Sequence, residues 1–277
     1  MKKYKRHFIQ LFFFLLQNPL LANFVNGTIY HGELKKICTP GLNCYSCPAA
    51  VTSCPIGSMQ FFLAGVRQNI SLFVTGFLLS TGVIFGRFIC GYVCPMGLLQ
   101  DLVYKIKTPK AKLQFRYVRY LKYMVLIMFV VLLPLLIRHE LSELGETWFC
   151  KYICPSGMIF GALPLLAVNE ALRSITGSIF IWKSALAGCI ILASVPIYRF
   201  FCRVLCPLGA IYALLNPIAI LKMRCDKEKC ISCGDCSKAC NLKLEPVSKP
   251  NAPECVRCGD CLKACKSKAL NYGVGTK

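Results

Sequence analysis

The sequence predicts an α-helical membrane protein with four transmembrane helices, followed by a small α+β domain at the C-terminus. Three observations lead to this prediction. The 277 residues are 56% hydrophobic and only 16% charged, with a mean hydropathy of +0.54, whereas soluble domains are about one quarter charged. Four apolar runs approach the about 20 residues that cross a bilayer. The 20 cysteines recur in short motifs with regular spacing.

The four apolar runs cover residues 8–25, 70–85, 121–137 and 179–198. The first run contains Asn18-Pro19, and proline is expected to kink a helix there. Basic residues precede this run, as they do in a signal peptide. No small-x-small cleavage site follows, so the run is interpreted as the first membrane helix.

The charge distribution predicts the orientation. The formal net charge is +21. With four crossings and a cytoplasmic N-terminus, the cytoplasmic segments hold 26 of the 33 Lys and Arg residues, against 6 in the two opposite segments. Basic residues concentrate on the cytoplasmic side of membrane proteins. The bias therefore predicts a multi-pass protein of the cytoplasmic (inner) membrane with both termini cytoplasmic, and it removes the need for a nucleic-acid partner.

The tetrapeptide Cys-Pro-x-Gly occurs four times. Proline favours the first turn of a helix, so each copy predicts a helix start, where free backbone amides favour a thiolate or an anionic cluster. Three copies have a further cysteine four residues earlier, and the first copy has several cysteines upstream instead. The copies begin at Cys54, Cys94, Cys154 and Cys206, and the earlier cysteines are Cys90, Cys150 and Cys202.

The motifs divide residues 1–221 into two similar halves, 1–112 and 113–221, each with one outer and one inner motif. Sites in duplicated membrane proteins tend to form between the halves. On the inner face, four thiols could bind one [4Fe–4S] or [2Fe–2S] cluster: Cys90, Cys94, Cys202 and Cys206. The outer face offers enough thiols for one cluster and a spare pair: Cys38, Cys44, Cys47, Cys54, Cys150 and Cys154.

Other uses of these cysteines stay open. In an oxidising compartment some of the outer cysteines would form disulfides. Each Cys-x3-Cys-Pro could instead be a redox dithiol. A structural zinc is disfavoured, because the inner motifs lack the histidines that zinc sites often use.

The C-terminal domain, residues 222–277, carries two copies of C-x2-C-x2-C-x3-C. This is the spacing of two-cluster bacterial ferredoxins, in which the fourth cysteine of each copy binds the other cluster. The domain is therefore predicted to be ferredoxin-like α+β, with two [4Fe–4S] clusters. One would use Cys230, Cys233, Cys236 and Cys265, and the other Cys240, Cys255, Cys258 and Cys261. Cys225 is interpreted as a strand residue.

Together, the apolar runs, the inner Cys-x3-Cys-Pro motifs and the paired ferredoxin motifs resemble the NapH-type membrane iron–sulfur proteins. The related NosR and CcoG proteins share parts of the pattern. The resemblance implies quinol dehydrogenase activity that passes electrons to a redox partner. The additional outer cysteines resemble a cysteine-rich branch of this family and favour a chain of clusters across the membrane.

We therefore expect a membrane-bound electron-transfer protein that relays electrons between cytoplasmic ferredoxin-type clusters, the Cys-x3-Cys-Pro sites, and a quinone or an extracytoplasmic acceptor. Its expected partners are the membrane, redox proteins on one or both faces, and a quinone. The alternative is a redox-sensing regulator or a metallocentre assembly factor. The sequence shows no nucleophile–base pair, phosphate loop or dinucleotide fingerprint, so the chemistry is expected to reside in cofactors.

Overall fold

The computed structural model describes residues 3–65, 71–111, 117–137 and 145–275, with side chains from residue 6 onward. Most of this chain is helical. The helical segments are Lys3–Gln17, Asn23–Asn26, Glu33–Lys36, Pro55–Ala64, Leu72–Phe85, Phe88–Tyr92, Pro95–Val103, Tyr117–Leu136, Phe149–Ile153, Pro155–Val168, Glu170–Ser174, Ser178–Ser194, Phe200–Val204, Pro207–Leu215, Asp235–Lys238 and Asp260–Ala264. Two strands, β1 (Leu221–Cys225) and β2 (Leu270–Val274), form one antiparallel sheet.

The prediction of four membrane-spanning helices is wrong. Among the described residues, only Tyr117–Leu136 is long and apolar enough to cross a membrane. The helix in the second predicted span, Leu72–Phe85, has 14 residues, which at 1.5 Å per residue is about 21 Å and falls short of a core of about 30 Å. The fourth, Ser178–Ser194, has 17 residues, and the first ends at Gln17, just before Asn18-Pro19.

The physical reason is that an apolar run can be longer than the helix inside it. Proline at position 19 lacks the amide that would continue the first helix. Gly86 ends the second helix with a φ of +54°, a conformation that glycine adopts without strain. The assignment of the thiols to inner and outer faces depended on four crossings and therefore loses its basis.

The two halves exchange their packing partners. Leu72–Phe85 of the first half packs against Pro207–Leu215 of the second, and Ser178–Ser194 of the second half packs against Pro95–Val103 of the first. The second Cys-Pro-x-Gly helix of each half therefore lies against an apolar helix of the other half. This exchange brings cysteines from both halves into one hydrophobic core.

The C-terminal domain docks on this helical body through buried polar contacts. The Asn216 side chain donates to the carbonyl oxygens of Ala252 and Cys255, at 2.8 and 3.2 Å. The Arg257 guanidinium, whose side chain is fully buried, donates to the carbonyl oxygens of Phe85 and Asn216, at 2.7 and 2.8 Å. Since buried polar groups lose water on docking, these bonds fix the domain in one position.

Candidate functional site

Each Cys-Pro-x-Gly motif builds a helix start in which the cysteine is the N-cap residue. Its backbone is extended, as in Cys206 with φ −75° and ψ 114°, and proline occupies the first helical turn. The amide of Gly209 donates to the Cys206 sulfur at 3.3 Å. The sulfur thus receives the hydrogen bond that a serine or aspartate oxygen accepts at an ordinary N-cap. The same extended cap occurs at Cys54, Cys94 and Cys154.

The structure brings the four predicted inner cysteines together. We call this set group A: Cys90, Cys94, Cys202 and Cys206. All four are buried, with 4–7% of each residue exposed, and they share one hydrophobic core. Cys206 lies within electrostatic range of the other three thiols. Group A is therefore a shared site of the two halves, with two thiols from each.

Two buried arginines cross between the halves at group A. Arg87, just before the first inner motif, donates to the carbonyl oxygen of Cys202 at 3.1 Å. Arg199, just before the second motif, donates to the carbonyl oxygen of Cys90 at 2.6 Å. Both side chains are fully buried. Each guanidinium therefore places a fixed positive charge beside a cysteine of the opposite half.

A glutamine also spans the two halves at group A. The Gln100 amide donates to the Cys202 sulfur at 3.0 Å, and its oxygen accepts the Phe201 amide at 3.1 Å. Gln100 and both arginines were not predicted from the sequence. A signal existed, since an arginine precedes the aromatic residue in both inner motifs and a glutamine lies six residues after Cys54 and Cys94.

The predicted outer cysteines divide between different places. Four lie within electrostatic range of one another and form what we call group B: Cys44, Cys54, Cys150 and Cys154. The remaining two contact polar side chains, and Cys47 also lies within electrostatic range of one group B thiol, Cys44. Cys47 lies 3.7 Å from the Asn18 side-chain oxygen, and Cys38 lies 3.6 Å from the hydroxyls of Ser53 and Ser58.

In the C-terminal domain, one predicted set of four thiols lines a single apolar cavity: Cys240, Cys255, Cys258 and Cys261. Leu242 and Leu244 line the same cavity. In the other set, Cys230, Cys236 and Cys265 all lie within electrostatic range of Cys225 on β1, and Cys233 is exposed. Cys225 is a strand residue, as the sequence analysis expected, but it faces the thiols of this set.

The described residues contain no group of three His, Cys, Asp or Glu side chains that could hold a single metal ion. A tetrahedral zinc site would need sulfurs about 3.8 Å apart, given a Zn–S bond of about 2.3 Å. An iron–sulfur cluster is a larger body, because iron and sulfide lie between the thiolates. Four buried thiols that converge from two halves match the four thiolate ligands that such a cluster requires.

The charge around group A also fits an anionic cluster. Arg87, Lys122 and Arg199 are fully buried, and their acidic partners are the buried Asp101 and the mostly buried Glu254. Buried charges are stable only when they are paired. Nε of Arg87 is buried and has no hydrogen-bond partner among the residues that the structure describes. An anionic cluster in group A would complete this charge balance.

Before a cluster is assembled, the buried thiols are protonated. Burial raises the pKa of Cys202 to about 12 and that of Cys154 to about 11. Because thiolates are the ligands, assembly of a cluster in either group must release protons. Binding is therefore expected to strengthen as the pH rises.

A comparison with protein families finds a 4Fe–4S binding domain in this chain, matched twice, over residues 66–114 and 180–224. These two segments contain the inner Cys-x3-Cys-Pro motifs, one in each half. The matches support an iron–sulfur electron-transfer role. Iron–sulfur clusters are thus the cofactor class of this protein.

Curated relatives point the same way. An uncharacterised protein of Methanocaldococcus jannaschii is 26% identical over 231 residues, covering 80% of this chain and 78% of its own. The methylamine utilization ferredoxin-type protein MauN of Methylobacillus flagellatus is 28% identical over 217 residues, covering 77% and 67%. The putative electron transport protein YccM of Escherichia coli is 38% identical over 60 residues, covering 22% and 16%.

No solved structure matches this chain. The relatives support a ferredoxin-type electron-transfer protein without singling out the NapH type, which stays a prediction. The cluster ligands predicted from the spacing likewise stay predictions.

A buried ion pair beside group A predicts a pH dependence of stability. Burial raises the pKa of Asp101, but Arg199 and Arg6 outweigh burial and hold it at about 2. Because this folded pKa is below the ordinary value of 3.8, the stabilisation is full above about pH 4 and is lost as the pH falls towards 2. The pKa difference corresponds to about 2–3 kcal/mol.

We expect Asp101→Asn to lower the free energy of unfolding at pH 7. The difference in this free energy between the variant and wild type should become smaller below about pH 4. Chemical unfolding of both proteins from pH 7 to pH 3 measures this. Asp226→Asn is the control, since its salt bridge to Lys229 is at the surface. A wild-type advantage that persists unchanged at pH 3 would show that folding does not lower the pKa of Asp101.

Proposed function

We propose that this protein is a membrane-associated iron–sulfur relay in which group A holds a [4Fe–4S] cluster next to the two clusters of the C-terminal domain. When bound, each cluster accepts or donates one electron at a time. The chain supplies the thiolate ligands, excludes water from group A and fixes the sites at short separation. A redox partner, either a protein or a quinone, exchanges electrons with the relay.

The observation on which this proposal depends is a close backbone contact between group A and the C-terminal domain. Gly91 follows the group A residue Cys90, and Val256 follows Cys255 of the cysteine-lined cavity. A Cβ atom on Gly91 would lie 2.5 Å from the Val256 carbonyl oxygen. The Tyr92 hydroxyl also donates to the Cys258 carbonyl oxygen at 3.4 Å. Only backbone therefore separates the two thiol sets at this point.

An ion-pair network holds this contact in place. Arg87 donates to the Glu254 carboxylate at 2.8 Å and to the Pro253 carbonyl oxygen at 3.1 Å, and Lys122 also pairs with Glu254. Both cations are fully buried, and the Glu254 side chain is 13% exposed. Glu254 directly precedes Cys255, so the network anchors the C-terminal domain next to a predicted cluster ligand.

Two features support association with the cytoplasmic membrane. In the apolar helix Tyr117–Leu136, only 22% of the most apolar stretch is buried, whereas a core helix of a soluble protein would be mostly covered. Met124, Ile127 and Leu136 are exposed on it. The net charge of +21 would attract the chain to the anionic lipids of the cytoplasmic leaflet.

The relay can be tested on anaerobically purified full-length protein in lipid vesicles. Dithionite and a quinol analogue are each added, and EPR spectra follow the reduction of every cluster. We expect three or more cluster signals with dithionite, and reduction by the quinol if a quinone is the partner. Signals from only the two clusters of the C-terminal domain would overturn the proposal.

The Gly91 contact gives a second test. We expect Gly91→Val to slow electron transfer between the C-terminal domain and group A, because the side chain must displace the Val256 carbonyl. Gly76→Val is the matched control, since a Cβ at Gly76 contacts nothing within 4 Å. Rapid-freeze EPR after reduction of the C-terminal clusters measures the rate, and iron content checks that both variants are loaded. An unchanged rate in Gly91→Val would remove this contact from the path.

A further inference from the structure

We infer that group B holds an additional [4Fe–4S] cluster, with Cys44, Cys54, Cys150 and Cys154 as its ligands, and that it exchanges electrons with group A. The inference rests on the proposed function. It selects four ligands among the six outer cysteines, a choice that spacing alone could not make.

Three separate segments converge at group B. Cys54 and Cys154 cap the helices Pro55–Ala64 and Pro155–Val168, and 8% and 7% of these two residues are exposed. Cys150 lies in the short helical segment Phe149–Ile153, directly before Cys154. In three copies of the motif, a second cysteine lies four residues before the capping cysteine. The first copy has Ala50 at this position, and a loop supplies Cys44 as the fourth thiol of group B.

The glycines of both motifs contact the thiols of the opposite segment. A Cβ on Gly57 would lie 3.7 Å from the Cys150 sulfur, and a Cβ on Gly157 would lie 3.6 Å from the Cys44 sulfur. The thiols of the two halves therefore approach each other across the two helix starts, as they do in group A.

Group B repeats the hydrogen-bonding plan of group A. The Gln60 amide lies 3.7 Å from the Cys150 sulfur, and its oxygen accepts the Phe149 amide at 3.1 Å. Gln100 makes the same two contacts to Cys202 and Phe201. Both glutamines lie six residues after the capping cysteine of their motif.

A cation at group B corresponds to the arginines of group A. Lys183 donates to the Cys150 carbonyl oxygen at 3.1 Å, as Arg87 does to that of Cys202. The Lys183 ammonium would also lie 3.8 Å from a Cβ on Gly157, so it is next to the thiols. A fixed positive charge at this position favours four thiolates around an anionic cluster.

An unpartnered hydroxyl also points to a missing ligand. Ser156, in the motif that begins at Cys154, is only 1% exposed. Its Oγ has no hydrogen-bond partner in the described part of the chain. The other three motifs have Ile56, Met96 and Leu208 at this position, so the helix start does not require a polar residue. A cluster sulfide would provide an acceptor for this hydroxyl.

Groups A and B are also close to each other. The Leu42 amide donates to the group A sulfur of Cys94 at 3.4 Å, and Cys44 of group B follows two residues later, at most about 3.6 Å of chain per residue. Tyr212 is fully buried and lies within electrostatic range of Cys90, Cys94 and Cys54. One loop and one aromatic ring therefore lie between the groups.

The electron step is a simple exchange. One electron leaves the cluster in group A, which is thereby oxidised, and enters the cluster in group B, which is thereby reduced. No covalent bond forms or breaks, and the electron comes from the C-terminal clusters of the same chain.

The test compares four single variants of the full chain, purified anaerobically: Cys44→Ala, Cys154→Ala, Cys47→Ala and Cys38→Ala. Iron and sulfide per chain are measured, together with EPR spectra at graded potentials. We expect Cys44→Ala and Cys154→Ala each to lose one EPR component and about four iron and four sulfide per chain. Cys47→Ala and Cys38→Ala should keep the wild-type content.

Two results would overturn the inference. One is an unchanged iron content in Cys44→Ala, and the other is an equal loss in Cys47→Ala. The EPR signals of group A and of the C-terminal domain report whether each variant is folded. If group B is empty but group A is loaded, only this inference fails. If group A is also empty, the proposed relay fails with it.

Discussion

Replacing both Cys90 and Cys202 by alanine is expected to remove one cluster from the protein and to interrupt the relay. Each half then contributes only one thiol to group A, and four thiolates are needed to hold a cubane. Iron and sulfide should each fall by about four per chain. The EPR signals of the C-terminal clusters should remain, because their ligands are unchanged.

Cys189→Ala is the matched control for this experiment. Cys189 is an exposed free cysteine on the helix Ser178–Ser194 and lies outside every motif, so its loss should change neither iron content nor spectra. Should the double alanine variant keep all its signals and its electron transfer, the helical body would be only an attachment for the C-terminal domain.

Replacing Glu254 by glutamine is expected to weaken the docking of the C-terminal domain strongly. The Glu254 carboxylate pairs with Arg87 and Lys122, and these two cations hold its pKa at about 2 against the effect of burial. Removing one partner of a buried ion pair costs about 3–5 kcal/mol, because the remaining charges are left uncompensated. The C-terminal clusters should then exchange electrons with group A more slowly.

Thermal unfolding and limited proteolysis of the full chain measure this effect. Glu228→Gln is the control, since Glu228 is an exposed acid of the same domain. The Glu254 variant should unfold at a lower temperature and be cleaved faster between residues 216 and 221. A Glu254 variant as stable as the Glu228 variant would show that this network does not hold the domain.

The cysteine spacing could indicate candidate ligand sets because cluster ligation needs residues at short, fixed intervals, and the ligands themselves stay predictions. The structure collects Cys90, Cys94, Cys202 and Cys206, as the duplication suggested. It also collects Cys240, Cys255, Cys258 and Cys261 around one cavity. Spacing could not place the loop cysteines, because the fold of residues 38–54 decides that Cys44 joins group B while Cys47 contacts Asn18.

Hydropathy predicted the membrane helices poorly. The run 70–85 is mostly apolar, but its helix, Leu72–Phe85, has only 14 residues and is followed by Gly86 with a φ of +54°. Composition indicates which residues avoid water, but it does not indicate where a helix ends. The buried glutamines and arginines were missed for a related reason, since their roles depend on pairing between halves that lie far apart in the chain.

The most direct test of the whole account is the iron and sulfide content of the anaerobically purified full chain, combined with a redox titration followed by EPR. With clusters in the C-terminal domain, group A and group B, we expect about 16 iron and 16 sulfide per chain, in four reducible components. A value of about eight of each, with only two components, would contradict the claim that the helical body continues the electron path.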